Sequence, residues 1–395
     1  MTAVSWDLKH YILMRKKILF VIESLAGGGA EKVLITLLKH LDASRFDMSL
    51  CCITRVGKYL EDVPSHVHFS SVLEDYTRLS GLSLLLYKIK YKLIYNWLPV
   101  RWVYNLYIPH GNDVEVAFLE GNATRILSGS SNKGARRIAW VHNDMKADHW
   151  TGSIYRNKTD EEQIYNRFDL IIAVSKSSGS KFKREFPRVK TPVRVYHNPI
   201  DREEILRLSQ LSSPDVPDRN GTCFRLVSIG RLAPQKAFDR LIRVFKKILD
   251  DGIPAELWIL GEGDQHEALQ GLITLYQLDR SVVLWGFQKN PYCFLPKCDL
   301  FVCSSLTEGY STAATEAVIL GLPVVTTACS GMDELLLDGT CGLISDNEEI
   351  ALYHALKEVL TDSEVLSRYH EAALQRSLDF SLEKAVGPIE AMLEG

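Results

Sequence analysis

The sequence predicts an α/β protein built from two doubly wound domains, and three observations support this. Short runs of apolar and β-branched residues alternate with segments of helical spacing from residue 17 to the C-terminus. Many of these runs are apolar on both faces, as in parallel strands covered by helices on either side. The chain has 395 residues, and domains of about 100–200 residues are typical. Two domains of similar size are therefore expected.

The predicted elements follow one another with a single interruption. Helical spacing is clearest at 31–41 and 237–251, while residues 209–221 are polar and rich in turn formers. We therefore place the domain boundary between residues 200 and 221. The predicted strands span 17–22, 48–54, 114–119, 137–142, 170–175, 224–229, 255–260, 282–285, 300–304 and 323–326.

Composition excludes several classes of protein. Hydrophobic residues make up 46% and charged residues 24%, which is typical of a globular chain and not of a disordered or collagen-like one. Lys plus Arg number 46 against 49 Asp plus Glu, so a globally basic nucleic-acid-binding protein is not expected. No run of 18 uncharged apolar residues is present to span a membrane. Eight cysteines without zinc-site spacing are expected to be buried reduced thiols in a cytosolic protein, with no metal site.

The N-terminus does not resemble a signal peptide. Asp7, Lys9 and His10 interrupt its apolar residues, and no small-residue cleavage site follows. Several interpretations stay open for this N-terminal extension, residues 1–15: an ordinary short extension, a dispensable leader at residues 1–13, or a true start at Met14.

The segment 79–112 is unusual because it contains no Asp or Glu. Basic residues interleaved with Tyr and Trp suit a membrane interface, where aromatic rings lie at headgroup level and cations meet anionic lipid. The alternative is a helix pair packed on the domain core with its lysines in water. The basic and aromatic residues are Lys88, Lys90, Lys92, Arg101, Tyr87, Tyr91, Tyr95, Trp97, Trp102, Tyr104 and Tyr107.

Two glycine turns that follow predicted strands are candidate phosphate sites. The run Gly-Gly-Gly-Ala-Glu at 27–31 opens a helix, whose N-terminus favours an anion. It is not the dinucleotide fingerprint, because Lys32 stands where the third glycine belongs. After the second turn, Arg231 and Lys236 flank another helix start and together can clamp a diphosphate. A plain tight turn and two solvated surface cations are the alternatives.

Two further groups of polar residues lie near predicted strand ends. Glu308 falls in a loop, Ser311 or Thr312 can cap the next helix, and Glu316 lies about one turn into it. Both carboxylates can accept hydrogen bonds from sugar hydroxyls, although two glutamates eight positions apart also occur by chance. His142 ends a strand of the first domain, either as a polar group facing the cleft or as a structural histidine.

Together these motifs resemble the retaining glycosyltransferases of family 4, the glycosyl transferases group 1, which have the GT-B fold. The most specific elements are the two glutamates followed by Gly-Leu-Pro-Val-Val at 321–325, and Gly-Arg-Leu-x-x-Gln-Lys at 230–236. Supporting elements are Gly-Gly-Ala-Glu at 28–31, Ala-Val-Ser-Lys-Ser at 173–177 and Asn-Pro-Ile-Asp at 198–201. The resemblance implies two Rossmann-like domains facing a cleft. The implied divisions are an acceptor-side domain at 16–205, a donor domain at 206–378 and a terminal helix at 379–395 that crosses back to the first domain.

The resemblance also implies roles for individual residues. Arg231 and Lys236 should hold the donor diphosphate, Glu316 the ribose hydroxyls and Glu308 the hydroxyls of the transferred sugar. The implied catalytic residues are His142, Glu308, Arg231 and Lys236. The implied donor-binding residues are Gly28, Gly29, Arg231, Lys236, Glu308, Gly309, Tyr310, Ser311, Thr312 and Glu316.

This sequence departs from the family pattern at three places. Ala237 stands where Gly is frequent, Tyr310-Ser311 where Phe-Gly or Phe-Pro is common, and Pro199 where Gly often follows the asparagine. Because these changes can reshape the donor-sugar pocket, no particular sugar is predicted.

The expected function is retaining, metal-independent transfer of a hexose-type sugar from a nucleotide-diphosphate sugar, with UDP or GDP as the expected nucleotide. The expected acceptor is a glycan or a lipid-linked glycan in surface polysaccharide synthesis. No cofactor and no nucleic-acid partner is expected, and the protein is placed in the cytoplasm, with association with the inner membrane face left open. The alternatives are a GT-B-fold sugar epimerase or phosphorylase, and an inactive sugar-nucleotide-binding protein.

Overall fold

The computed structural model describes residues 15–211, 216–217 and 223–395. The predicted N-terminal extension lies outside the described residues except for Arg15, and so does much of the polar stretch at 209–221.

The first half of the chain forms a seven-stranded parallel sheet with the strand order β3-β2-β1-β4-β5-β6-β7. Its elements, in chain order, are β1 (Lys16–Ile22), α1 (Gly29–His40), β2 (Phe46–Thr54), β3 (His68–Leu73), α2 (Gly81–Lys92), α3 (Val100–Tyr107), β4 (Val114–Ala117), α4 (Asn122–Leu127), β5 (Arg136–Val141), α5 (Lys158–Tyr165), β6 (Leu170–Ala173), α6 (Lys176–Glu185), β7 (Val193–Val195) and α7 (Arg202–Ser209).

The second half forms a six-stranded parallel sheet with the order β10-β9-β8-β11-β12-β13. Its elements are β8 (Phe224–Ile229), α8 (Phe238–Asp250), β9 (Ala255–Leu260), α9 (His266–Leu275), β10 (Val282–Gly286), β11 (Leu300–Cys303), α10 (Thr312–Ile319), β12 (Val324–Thr327), α11 (Met332–Leu336), β13 (Leu343–Ser345), α12 (Glu349–Thr361), α13 (Ser363–Ser377) and α14 (Leu382–Glu394).

The predicted fold class is confirmed by these two sheets with alternating helices. Every predicted strand is present, and all of them except the edge strand β10 lie inside a sheet that buries most of their residues. The prediction missed three strands, β3, β7 and β13, which all lie at sheet edges. Two of them have only three residues, and the third carries the polar residues His68, Ser70 and Ser71. An edge strand that is covered on fewer sides gives a weaker apolar signal.

The helices cover the sheets with apolar stripes of helical period. In α8, the buried residues Phe238, Leu241, Ile242, Phe245 and Ile248 recur at spacings of three and four and pack into the core of the second domain. This arrangement aligns the N-termini of the helices with the carboxyl edge of each sheet, where the glycine turns lie.

The last helix, α14, lies against the first domain. Its Glu390 forms an ion pair of 2.7 Å with Arg45, and Glu394 contacts the same guanidinium. Its Ile389 is fully buried in a core cluster that also contains residues of β1 and α1. The exact domain limits at 205 and 378 stay predictions.

Two further expectations concern the surface of the molecule. Seven of the eight cysteines are buried as expected, whereas Cys223 is only partly buried. Among the helices that the structure describes, none combines the length and the apolar character needed to cross a bilayer. In the segment 79–112, α3 buries Val103 and Tyr104, but α2 buries none of its residues, all of which are described. Tyr87 of α2 is partly buried against the core of the first domain, so α3 packs on the core more completely than α2 does.

Candidate active site in the interdomain cleft

The glycine run after β1 lies against the second domain. Gly28 caps α1 in an extended conformation, and a Cβ atom there would lie 2.3 Å from Glu31 Oε2 and 3.0 Å from Arg231 Nη2. A Cβ at Gly29 would lie 2.7 Å from the Thr312 hydroxyl oxygen. Only glycine fits at these two positions without displacing its neighbours. The structure thus brings both predicted glycines to the predicted donor-binding residues.

The two predicted diphosphate-binding cations are each paired with a carboxylate. Arg231 has a side chain 52% exposed, and its Nη2 lies 3.6 Å from Glu31 Oε1. Lys236 donates a 2.5 Å hydrogen bond to Glu308 Oε1, and both of these side chains are largely buried. The Arg231 pair joins the two domains across the cleft, and the Lys236 pair lies within the second domain.

Two members of these ion pairs, Lys236 and Glu31, have a raised pKa. Burial acts to lower the pKa of Lys236, but the Glu308 carboxylate and nearby thiols outweigh it, so the net pKa lies above the usual value. Burial raises the pKa of Glu31, and hydrogen bonds and the charge of Arg231 oppose that rise only in part. Glu308 also accepts a 2.6 Å hydrogen bond from Ser305. The Lys236 ammonium is therefore a persistent positive charge in the cleft.

Glu316 lies within α10, as the sequence predicted. The Ser311 hydroxyl accepts a hydrogen bond from the Ala314 amide and caps this helix, which fixes the position of Glu316 just over one turn later. Glu316 is 4% exposed, and its Oε1 accepts hydrogen bonds from Lys32 at 2.6 Å and from the Tyr292 hydroxyl at 3.2 Å. Lys32 comes from the first domain, so this contact forms a second ion pair across the cleft.

Sequence reasoning missed Lys32 and Tyr292 as members of the site. Lys32 was noted only because it is not glycine, yet it lies in the first turn of the helix that the glycine run opens. Its positive charge, next to glycines that were already predicted to lie at the cleft, was the signal that could have identified Lys32 as a site residue. Tyr292 belongs to a short 3₁₀ turn with no recognisable motif.

His142 follows β5 and is buried. Its ring lies 4.9 Å from Phe118 and 6.1 Å from Trp140, and burial lowers its pKa to about 3, so the imidazole is neutral. Its Nε2 atom is buried and has no hydrogen-bond partner among the described residues. Its backbone amide donates to Glu120, and a Cβ at Gly309 would lie 1.9 Å from its carbonyl oxygen. The histidine thus lies where the backbones of the two domains meet.

Tyr310 differs from the other predicted donor-binding residues in its contacts. Its ring centre lies 5.3 Å from that of His197, and a Cβ at Gly331 would lie 2.8 Å from its Cδ2 atom. Burial raises the pKa of its hydroxyl to about 12. The side chain is buried in a core cluster.

A buried polar network also joins the two domains beside the cleft. Lys181 donates a 2.6 Å hydrogen bond to Asp144, and the Ser330 hydroxyl donates to the same carboxylate at 2.8 Å. Burial opposes ionisation of Asp144, but these hydrogen bonds lower its pKa overall. Ser175 adds a 2.8 Å hydrogen bond to the Gly309 carbonyl. In the part of the chain that the structure describes, no cluster of three His, Cys, Asp or Glu side chains could hold a metal ion.

Two Rossmann-like domains that face each other across a cleft lined with glycine turns, paired cations and buried glutamates define the GT-B class of glycosyltransferase. Residues 27–204 match the family model Glycosyltransferase Family 4, and residues 212–376 match the model Glycosyl transferases group 1. These two matches together account for most of the chain. The protein is therefore a glycosyltransferase with the GT-B fold.

Individual relatives agree with this assignment. An N-acetylgalactosamine-N,N'-diacetylbacillosaminyl-diphospho-undecaprenol 4-alpha-N-acetylgalactosaminyltransferase of Campylobacter jejuni is 28% identical over 93% of this chain and 97% of its own length. A putative colanic acid biosynthesis glycosyltransferase, WcaL of Escherichia coli, is 29% identical over 49% of this chain and 48% of its own. The crystal structure of HepE from Anabaena, in complex with UDP and glucose, superposes with a TM-score of 0.73 at 20% identity, over 96% of this chain and 100% of HepE.

Proposed function

We propose that this protein transfers a hexose-type sugar from a nucleotide-diphosphate sugar to a glycan or lipid-linked acceptor, with retention of anomeric configuration. The observation that carries the proposal is the cleft itself, where three cations and three largely buried carboxylates converge from both domains. The Campylobacter relative is named for a diphospho-undecaprenol acceptor, and HepE was crystallised with UDP-glucose, which supports the two substrate classes. Its place would be surface polysaccharide synthesis at the cytoplasmic membrane face.

Arg231 and Lys236 would bind the diphosphate in place of their present carboxylate partners. Breaking the bond between sugar and phosphate builds negative charge on the leaving diphosphate, and two fixed cations stabilise that charge as it develops. Arg231 and Lys236 would supply the positive charge that the leaving diphosphate requires, so we propose that no metal ion takes part.

The two glutamates would divide the rest of the donor between them. Glu316 has one oxygen engaged by Lys32 and Tyr292, and we propose that it accepts hydrogen bonds from the ribose hydroxyls. Glu308 would accept hydrogen bonds from the transferred sugar once the diphosphate draws Lys236 away. This division predicts that the two carboxylates affect nucleotide and nucleotide-sugar binding differently.

His142 would act as a hydrogen-bonding group and not as an acid. A pKa of about 3 leaves the ring neutral at physiological pH, and its unpartnered Nε2 is suited to a sugar hydroxyl. We infer a front-face reaction, in which the acceptor hydroxyl attacks from the side of the departing diphosphate and transfers its proton to a phosphate oxygen. No protein nucleophile is required.

The test has two stages. Thermal shift against UDP-, GDP-, ADP- and CMP-sugars, with and without magnesium, should identify one diphosphate sugar that raises the Tm. Nuclear magnetic resonance of the product should then show the donor's anomeric configuration, and an inverted product would contradict retention.

The alternatives give distinct results in the same experiments. Conversion of the donor without any acceptor would indicate an epimerase, and an absorbing pyridoxal phosphate would indicate a phosphorylase. A donor that binds but is never consumed would indicate a binding protein. The matches to glycosyltransferases do not favour any of these alternatives.

A further inference from the structure

One face of α2 is apolar but exposed to solvent. Leu82, Leu85, Leu86 and Ile89 recur at spacings of three and four and so share one face of the helix, and their exposed fractions are 72%, 54%, 56% and 45%. A stripe with this period normally faces a protein core. Here no described residue covers it.

The apolar exposure continues into the segment that follows α2. Trp97, Trp102 and Leu106 are also more than 60% exposed. Lys90 of α2 lies over the ring of Tyr107 at 4.9 Å, which shows that α2 and α3 are neighbours. We call the exposed residues of α2, α3 and the turn between them the α2–α3 surface.

The charges on the α2–α3 surface have one sign. Lys88, Lys92 and Arg101 are exposed, and the sequence from 79 to 112 contains no acidic residue. Leucines, tryptophans and cations arranged on a surface helix suit the boundary of an anionic bilayer, where Trp lies at headgroup depth and Lys or Arg meets lipid phosphates. A protein partner would need a matching acidic surface but would not explain the exposed Trp and Leu side chains as directly.

The α2–α3 surface adjoins the cleft. Tyr95, in the turn after α2, donates a hydrogen bond to Glu23, which is the first residue after β1 and lies in the loop that leads to the glycine run. The rings of Tyr87 and Tyr95 are partly buried against the core of the first domain, so the segment is packed onto this domain. A bilayer at this surface would lie beside the acceptor side of the cleft.

We propose that the α2–α3 surface docks on an anionic lipid bilayer, inserting its leucines and tryptophans at the headgroup boundary while its cations bind lipid phosphates. The docking does not require donor or acceptor, and it goes beyond the proposed transfer reaction. If the proposed acceptor is lipid-linked, docking also brings its reacting end to the cleft, a consequence that rests on the proposed function.

Sedimentation with vesicles tests the proposal on the full chain without any substrate. The unmodified protein should bind vesicles containing phosphatidylglycerol, bind pure phosphatidylcholine at least tenfold more weakly, and lose affinity as salt is raised. Reversing three charges in Lys88→Glu/Lys92→Glu/Arg101→Glu should weaken binding about 100-fold, because each basic residue near an anionic surface contributes about a fivefold factor. Replacing the stripe in Leu82→Gln/Leu85→Gln/Leu86→Gln/Ile89→Gln should weaken it at least about tenfold.

Control variants carry substitutions of the same kinds elsewhere on the surface. Leu275→Gln/Leu378→Gln removes two exposed leucines of the second domain, and Lys183→Glu/Arg184→Glu/Lys190→Glu reverses three exposed charges in the first. Both controls should keep vesicle binding within about twofold. Nucleotide-induced thermal shifts should be unchanged in every variant, which separates loss of docking from misfolding and from failure of the proposed function.

Three results would overturn the proposal. The protein does not bind anionic vesicles, the α2–α3 variants bind as well as the control variants, or light scattering shows a dimer that only the α2–α3 variants dissociate. The last result would assign the surface to a second copy of the chain.

Discussion

Replacing Glu316 by Gln gives the sharpest test of the proposed donor site. The carboxylate is 4% exposed and one of its oxygens already accepts two hydrogen bonds, so its geometry is fixed before any ligand arrives. A hydrogen bond to a charged group contributes about 1.5–3 kcal/mol. Losing the charge that two ribose hydroxyls would bind should therefore remove about 3 kcal/mol, which weakens nucleotide binding about 100-fold.

The expected thermal shift follows from this number. At a nucleotide concentration of 100 times Kd, binding stabilises the folded protein by about 2.7 kcal/mol, and at a concentration equal to Kd by about 0.4 kcal/mol. For domains of this size, 1 kcal/mol changes the Tm by about 2–4 °C. A shift of about 5–10 °C with the matching nucleoside diphosphate should therefore fall to about 1 °C in Glu316→Gln.

Two control variants make the result specific. Glu308→Gln should not reduce the shift with the nucleoside diphosphate, because it removes a carboxylate that competes for Lys236, and it should reduce only the additional shift given by the nucleotide sugar. Glu371→Gln, an exposed carboxylate of α13, should change neither shift. A full nucleotide shift in Glu316→Gln would refute the assignment of the ribose to this residue.

Three further predictions concern pH and stability. The pKa of His142 is about 3 in the folded state and near 6.5 in the unfolded state, so the folded state binds fewer protons and its stability falls as the pH drops below about 6.5. In urea titrations, His142→Asn should reduce this dependence of the free energy of unfolding on pH. The pH profile of kcat/KM should show no titration from His142 near pH 6.5. Folding lowers the pKa of Asp144, so its contribution to stability is present above about pH 4 and is lost at lower pH. Asp144→Asn should reduce the free energy of unfolding by about 2 kcal/mol at pH 7 and by little near pH 2. An equal loss at both pH values would contradict the ion-pair explanation. Ile389→Ala should reduce the free energy of unfolding by about 3 kcal/mol, because this side chain of α14 is completely buried. The control Ile350→Ala, at a half-exposed position, should change it by less than about 0.5 kcal/mol. Equal effects of the two substitutions would show that α14 does not contribute to the core.

Local sequence signals predicted the parts of the structure that depend on neighbours along the chain. Strands β1 and β8 were found because their runs are apolar on both faces, and both glycine turns were found at the ends of these strands. The position of Glu316 followed from the cap at Ser311 and the length of one helical turn. These features need only a few consecutive residues.

Features that depend on distant residues were not predictable from one sequence. Lys32 and Glu316 are 284 positions apart, and nothing in either neighbourhood indicates the partner. The exposed apolar face of α2 has the same period as a buried one, so only the packing shows that no described residue covers it. The three edge strands were missed for the related reason that partial exposure dilutes their apolar pattern.

The carboxylates beside Arg231 and Lys236 have a consequence for turnover. Under the proposed function, Glu31 and Glu308 would compete with the diphosphate for the two cations, and they remain attached beside them at all times. Under the proposed function, they would return to Arg231 and Lys236 as the spent nucleotide leaves and hinder its rebinding. The same ion pairs that weaken the binding of the donor would thus also reduce inhibition by the nucleotide product.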